Sequence, residues 1–339
     1  MTGLKALCGA AVALLAVHGS SHAQSSQDWE QVIAAAKKEG SLVLYSGVPG
    51  VRETPVVAKL FEAKYGIKVD VLEARGTEIQ ERVRTELVTG RNVGDLSLTG
   101  GTTQFLYKNQ GLLQVHPGIP NLGRLAITPG MDEEVPVYVN TYGLAVSTIL
   151  VPQDQEPKSW LDLLDPKWKG KFLSDEMTTS GTGATWYGVM QDAFGNQFHE
   201  RMAKQALTYA RDVRESPRRV ARREFAMYIP YPMADHKNNE GLPLKAIVPT
   251  EGLAYTPITI ALIKNAPHPN AARLYMSFYL DNEAQLVYAT TGYRVSTNGM
   301  EAQTPEKFRW LATAKLLGRQ KLEGQQERMR EADKIYNGR

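Results

Sequence analysis

The chain has 339 residues, 39 Lys and Arg against 36 Asp and Glu, and a formal net charge of +3 at pH 7. That length suits two domains of ordinary size, and the near-neutral balance gives no support for nucleic-acid binding. The single cysteine, Cys8, lies in the N-terminal segment, so the remainder has no disulfide, no thiolate nucleophile and no cysteine metal site.

Residues 1–23 read as a secretory signal peptide. Lys5 precedes an apolar run through Leu14-Leu15-Ala16-Val17, and Ser21-His22-Ala23 puts small residues where a signal peptidase reads. The run is too short to span a bilayer, and Leu7 beside Cys8 is the wrong context for lipid attachment. Cleavage after Ala23 is expected to leave a soluble exported protein with a net charge of +2.

Strand and helix patterns then alternate. Trp29, Val32, Ile33 and Ala36 recur at a helical period over 28–38, with Gly40 as the stop. Ser41-Leu42-Val43-Leu44-Tyr45-Ser46 is a short apolar run of the kind found in buried parallel strands. Thr54-Pro55 opens a helix to Tyr65, and residues 67–72 form a second strand. Arg75-Gly76-Thr77 leads into a helix with Ile79, Val83, Leu87 and Val88 on one face, and 95–99 is a third strand before a helix carrying Phe105 and Leu106. Such alternation predicts a parallel α/β sheet, whose ligands sit beyond the carboxyl ends of the strands. Three polar, glycine-containing loops fall there, at 46–50, 75–77 and 99–103, and none matches a nucleotide-binding fingerprint.

Residues 135–147 are the longest strand-like stretch. Ser159-Trp160 opens a short helix, 165–171 is a turn, and Met177-Thr178-Thr179-Ser180-Gly181-Thr182-Gly183-Ala184-Thr185-Trp186 runs into a helix expected to reach Phe198. That glycine and hydroxyl stretch leaves the first N–H groups of its helix uncovered, which suits an anion as well as it suits an ordinary cap. Ser216 is expected to cap a helix with Pro217 in its first turn, Pro230 to interrupt a strand over 225–231, and 244–248 and 255–262 to be strands. The basic run of Arg211, Arg214, Arg218, Arg219, Arg222 and Arg223 reads mostly as a solvated helix face, and 304–335 as one charged helix. His116, His199 and His236 read as surface or loop residues. No Gly-x-Ser-x-Gly elbow or His-Glu-x-x-His pair is present, so a hydrolase has little to recommend it.

Several segments together resemble the periplasmic solute-binding proteins of ABC importers, in the branch with the iron(III)-binding and phosphorylated-compound-binding proteins. They are Val43-Leu44-Tyr45-Ser46, Phe61-Glu62-Ala63-Lys64-Tyr65-Gly66-Ile67-Lys68-Val69, Trp160-Leu161-Asp162-Leu163-Leu164-Asp165-Pro166-Lys167-Trp168-Lys169-Gly170-Lys171, Ser180-Gly181-Thr182-Gly183 and Ala266-Pro267-His268-Pro269-Asn270-Ala271-Ala272. The resemblance implies an α/β, two-lobed periplasmic binding protein of type II, two α/β lobes joined by hinge strands with the ligand cleft between. Lobe 1 would comprise 24–137 and 258–300, lobe 2 residues 138–257, with hinges near 138–147 and 255–260 and a helical segment at 301–339 packing on a lobe. It also implies a protein that closes on its solute and is recognised by a membrane permease; a monomer with no cofactor and no metal-ligating residues is expected. Iron-binding members use adjacent tyrosines, which would fall near Met233-Ala234 here; the sequence has no adjacent tyrosine pair, and Tyr228 and Tyr231 are the nearest candidates. An anionic organic solute, carrying phosphate, phosphonate or carboxylate, is therefore expected in place of ferric ion. Its contacts are expected from Ser46, Val48, Arg75, Thr99, Thr102, Tyr142, Ser180, Gly181, Thr182, Gly183, Ser216, Arg219, Tyr228 and Tyr231.

Overall fold

The computed structural model describes residues 20–179, 181–210, 212 and 215–338, so most of the expected signal peptide and Ser180, Arg211 and Arg214 lie outside the described residues. In chain order the elements are α1 (Ser20–Glu39), β1 (Ser41–Ser46), α2 (Glu53–Tyr65), β2 (Lys68–Glu73), α3 (Gly76–Thr89), β3 (Leu96–Gly100), α4 (Gly101–Asn109) and β4 (Leu113–Gln114). Then follow β5 (Glu134–Ser147), β6 (Phe172–Asp175), α5 (Thr182–Phe194), α6 (Asn196–Ala203), β7 (Thr208–Ala210), α7 (Ser216–Ala221), β8 (Met227–Pro232) and β9 (Leu244–Ile247). The chain ends with β10 (Leu253–Ile263), α8 (Pro269–Tyr279), α9 (Asn282–Ala289), β11 (Arg294–Val295), α10 (Glu306–Ala312), β12 (Leu316–Arg319) and α11 (Gln325–Asn337).

The strands join in the order β2-β1-β3-β10-β5-β8-β6-β7, with β4 and β12 added to β10 and β9 and β11 to β5. Both faces of this sheet are covered, and successive residues serve opposite faces, as the strand period of two requires. In the first lobe Leu44 joins the core of Phe61, Leu98 and Ile260, while Tyr45 joins that of Ile79, Tyr107 and Ala261. In the second lobe Leu144, Phe172 and Met227 pack with Trp160 and Trp186, while Ala145, Leu173 and Tyr228 pack on the other face. Trp160 is fully buried and its indole N–H donates to Gly252 O at 2.9 Å. Burying one such side chain contributes roughly 1.5–3 kcal/mol. The Ala266 to Ala272 segment is the start of α8, whose first N–H groups are satisfied from lobe 1: His268 N–H by Asp95 at 2.7 Å and Ala271 N–H by Glu39 at 2.7 Å.

Two strands belong to both lobes. β5 gives Val135, Val137 and Tyr138 to the first lobe and Tyr142, Leu144 and Val146 to the second. β10 gives Ala254 to the second and Ile258, Ile260 and Leu262 to the first. The crossing is short, with Thr141, Asn140 and Val139 opposite Tyr255, Thr256 and Pro257. Gly143 lies just beyond it, where an added Cβ would sit 2.6 Å from Ile247 O and 2.8 Å from Met233 Sδ.

Several sequence expectations need correction. The helix expected to run to Phe198 breaks at Gly195, whose φ of 73° ends α5 before α6 begins. Ser216 is not the cap but the first residue of α7, following Glu215, and its hydroxyl donates backward to Asp212 O at 2.8 Å. Pro230 does not interrupt β8, because the pairing with β5 shifts register between Gly143 and Ala145 and asks no N–H of it. Residues 304–335 are not one helix: Leu316 to Arg319 extend the lobe 2 edge of β10, and Gly324 at φ 73° opens α11. His199 is no surface residue but fully buried, stacked on Tyr187 at 4.0 Å, and burial pushes its pKa down to about 3. Val88, expected on the buried face of α3, is 78% exposed.

Gly143→Ala is expected to destabilise the protein by about 1–3 kcal/mol, since the nearest obstacle is backbone that cannot rotate away. Thermal or urea unfolding followed by circular dichroism measures it; an unchanged midpoint would show that the strands can part at no cost.

Candidate functional site

The lobe 1 wall is made by the three loops expected at the strand ends. Gly47 N–H donates to Leu98 O at 2.8 Å and Ala74 N–H to Ser46 O at 3.1 Å, so the loops after β1, β2 and β3 are tied to one another. They approach closely because they carry glycine. A Cβ on Gly47 would lie 2.7 Å from Thr99 Oγ1, and one on Gly76 2.9 Å from Thr103 Cγ2. Tyr107 fixes the middle loop by donating to Gly76 O at 2.5 Å. Ser46 and Thr99 are buried inside this wall, and Val48 packs on the lobe 1 core. Arg75 stands exposed at the start of α3, where the Glu78 carboxylate accepts its backbone N–H at 3.3 Å. Thr102, in the first turn of α4, faces the gap between the lobes.

The crossing strands make the floor. Tyr142 is buried there and donates to Thr256 Oγ1 at 3.2 Å, and burial pushes its phenol up to about 12.

The lobe 2 wall begins at the end of β6. Asp175 is 6% exposed, accepts the Tyr228 hydroxyl at 2.6 Å, and is pushed by burial from 3.8 up to about 7 despite that bond. Burial and the adjoining carboxylates hold the Tyr228 phenol far above its ordinary range. Tyr231 is also buried, 6.2 Å from Tyr228 between ring centroids, and its hydroxyl accepts from Asn239 Nδ2 at 3.3 Å. Gly181, at φ 150°, precedes α5, whose start includes Thr182 and Gly183. A Cβ on Gly183 would come 2.2 Å from Glu176 O, so the turn requires glycine. Ser180 lies outside the described residues. Ser216 is buried behind Tyr228, and Arg219 is engaged on the surface, its Nε 2.8 Å from Glu224 and its guanidinium over Phe225. Arg218 and Arg222 likewise pair with Glu215 or Glu224, so two acids on the same face share three of the arginines of the basic run.

The two walls meet over a cavity of about 10 Å³, lined by Thr102 from α4, Thr185 from α5, Tyr255 and Thr256 from the crossing strand, and Arg319 and Gln320 from the C-terminal segment. Farther along, Lys237 reaches from lobe 2 to Glu53 in the first turn of α2 at 3.0 Å, over the Tyr293 ring. Among the expected residues, the structure thus brings Thr102 into the gap and sets the Gly181 to Gly183 turn at the head of α5. Tyr142 lies in the floor, whereas Ser46, Thr99, Ser216 and the two other tyrosines are interior to their lobes. Asp175 is missed by the sequence reading, and its one local signal is an acid that follows the short apolar Phe172-Leu173 before the glycine stretch. Arg319 and Gln320 carried no local signal, since only their pairing on β10 puts them here.

The family described as Bacterial extracellular solute-binding protein matches residues 48–286. A protein of Haemophilus influenzae, described only as uncharacterized, is 26% identical over 183 residues, 51% of this chain and 53% of its own length. The match thus spans about half of that relative. Among solved structures, iron-bound HitA from Pseudomonas aeruginosa is 20% identical with a TM-score of 0.67, covering 86% of this chain and 99% of its own. The ferric binding protein from Campylobacter jejuni is 20% identical with a TM-score of 0.71, covering 88% and 98%. AfuA from Actinobacillus pleuropneumoniae, with fructose-6-phosphate bound, is 21% identical with a TM-score of 0.62, covering 88% and 97%. These likenesses establish the two-lobed fold.

The Asp175 carboxyl makes stability depend on pH. Its pKa is raised on folding, so between about 4 and about 7 the folded state binds the extra proton and stability declines as pH rises. Melting temperatures from pH ~4 to ~8 are expected to fall in the wild type and to flatten in Asp175→Asn, the difference being on the order of 4 kcal/mol. Parallel curves would mean that Asp175 is charged in the fold.

Proposed function

The chain belongs to the bacterial extracellular solute-binding proteins, and from that premise we propose that it captures a small anionic organic solute between its lobes. The observation that carries this reading is that α4 from lobe 1 and α5 from lobe 2 present their first turns to the same cavity. Each follows a glycine, Gly100 or Gly181, that places no side chain over the N–H groups. A helix start offers unpaired donors and the positive end of the helix dipole, and two of them suit phosphate, phosphonate or carboxylate. Gly181, Thr182, Gly183 and Ser180 are the proposed grip on that group from one side, and Thr102 and Arg75 from the other.

In this reading lobe 1 is 24–137 with 258–300 and lobe 2 is 138–257, the crossing strands acting as hinges near 138–147 and 255–260. The Lys237–Glu53 pair ties lobe 2 to lobe 1. The protein works as a monomer in the periplasm, after loss of residues 1–23, and hands the solute to an ABC permease. No helix among the described residues is long and apolar enough to cross a membrane. Capture, not catalysis, is the proposed role.

Ferric ion is the competing solute, since HitA is iron-bound and the Campylobacter jejuni protein is a ferric binding protein. The tyrosine chemistry weighs against it: Tyr228 is committed to Asp175 and held above its ordinary pKa, where a ferric ligand must ionise readily.

A solute at about a hundred times its Kd should stabilise the protein by about 2.7 kcal/mol and raise its Tm by several degrees. A panel of sugar phosphates, phosphonates and carboxylates is expected to contain such a compound, and a panel that moves nothing would end the anion reading. Added ferric ion is expected to give no tyrosinate colour, and a coloured complex would favour iron. Arg75→Ala is expected to weaken binding of the responding anion about tenfold without lowering the Tm of the empty protein, because the side chain is exposed.

A further inference from the structure

The cavity between the lobes contains a side chain whose needs are unmet. Gln320 is 3% exposed, and both its amide nitrogen and its amide oxygen are buried with no hydrogen-bond partner among the described residues. Nothing about the seat is loose. β12 pairs with β10 so that Arg319 stands opposite Tyr255, which fixes the backbone entering Gln320. On the other side α5 gives up a side chain at Gly188, where a Cβ would lie 2.8 Å from Gln320 Cγ. A buried amide with two unpaired atoms is unfavourable, and native proteins keep such groups where a ligand or water completes them.

We propose that Gln320 is a ligand-contacting residue that selects for a hydroxyl on the captured solute; this rests on the capture of an anionic solute proposed above. An amide presents an NH2 donor group beside a carbonyl acceptor, and a single hydroxyl can accept from the one and donate to the other. A phosphate or carboxylate oxygen would satisfy the nitrogen and set negative charge against the amide oxygen. The surroundings are of the same kind: Thr102, Thr185 and Thr256 line the cavity with hydroxyls. The charge nearby is already offset, since Arg319 lies 3.7 Å from the buried Glu134 carboxylate, which also accepts the Gly130 N–H. At about 10 Å³ the cavity holds no more than one such group while the lobes stand this close, so the whole solute enters as they part. The helix starts therefore hold the charged end of the solute, and Gln320 reads whether the remainder carries a hydroxyl.

Titrating the full protein with a hexose monophosphate and with hexyl phosphate, matched in charge and carbon count, reads the selection. The wild type is expected to favour the hexose phosphate by about tenfold or more. Gln320→Leu is expected to lose most of that preference while keeping its affinity for hexyl phosphate and inorganic phosphate. The empty variant should melt no lower than the wild type, because leucine removes an unpaired amide and no hydrogen bond. Gly188→Ala, which displaces Gln320 without changing its chemistry, should also lose the preference. A preference that survives in both variants overturns the assignment, as does an equal loss of affinity for all three anions. A lower melting temperature for empty Gln320→Leu, with the preference intact in Gly188→Ala, makes the amide structural and overturns it too. A wild type that binds hexyl phosphate and the hexose phosphate alike removes the hydroxyl selection alone, whereas one that binds none of the three anions removes the anion reading with it.

Discussion

The structure depends on one pair of strands that belongs to two cores at once. β5 and β10 run antiparallel through the sheet, and within three paired residues their side chains pass from one lobe's interior to the other's. An extended pair carries its own hydrogen bonds across that gap, so the backbone needs no core of its own there. Everything that faces the cleft hangs from this pair. β3 with the α4 start lies on one stretch of β10, and β12 with Gln320 lies on the next. The tight approach at Gly143 shows how little room the junction leaves.

Charge in and around the cleft is mostly spoken for by the protein itself. Glu134 has Arg319, Glu53 has Lys237, and the acid Asp175 is held toward its neutral form beside Tyr228. That leaves backbone N–H groups and hydroxyls as the chemistry on offer at the α4 and α5 starts. Neutral donors fixed by glycine turns recognise an anion through geometry, and they add no repulsion between like charges while the site is empty. Tyr228 and Tyr231 sit inside the lobe 2 core, where burial opposes their ionisation.

Much of this was readable in advance wherever a local rule and the tertiary fold agreed. The short apolar runs became β1 and β3, Gly66 ended α2 in the left-handed conformation, and the three glycine loops gathered at one edge. Where local rules misled, a partner distant in sequence had taken over. Ser216 has the composition of a cap, yet its hydroxyl turns back to Asp212 under a packed Tyr228. His199 has a polar side chain, yet Tyr336 and the Tyr187 carbonyl satisfy both its ring nitrogens in the core. Leu316 to Arg319 lie in a highly charged stretch, yet the lobe 2 edge of β10 offered unpaired backbone and drew them in as a strand.

The sequence by itself determined the α/β class, the order of most elements and the glycine positions at which a ligand can approach backbone. These follow from side-chain periodicity and from the freedom of glycine, which are properties of neighbouring residues. Only the tertiary structure decided which of those positions share a cavity and what else joins them. Thr102 and Thr185 are 83 residues apart in sequence, and Gln320 comes from beyond both. They meet because β10 pairs on one edge with β3 and β12, and strand pairing is a contact that no local pattern encodes.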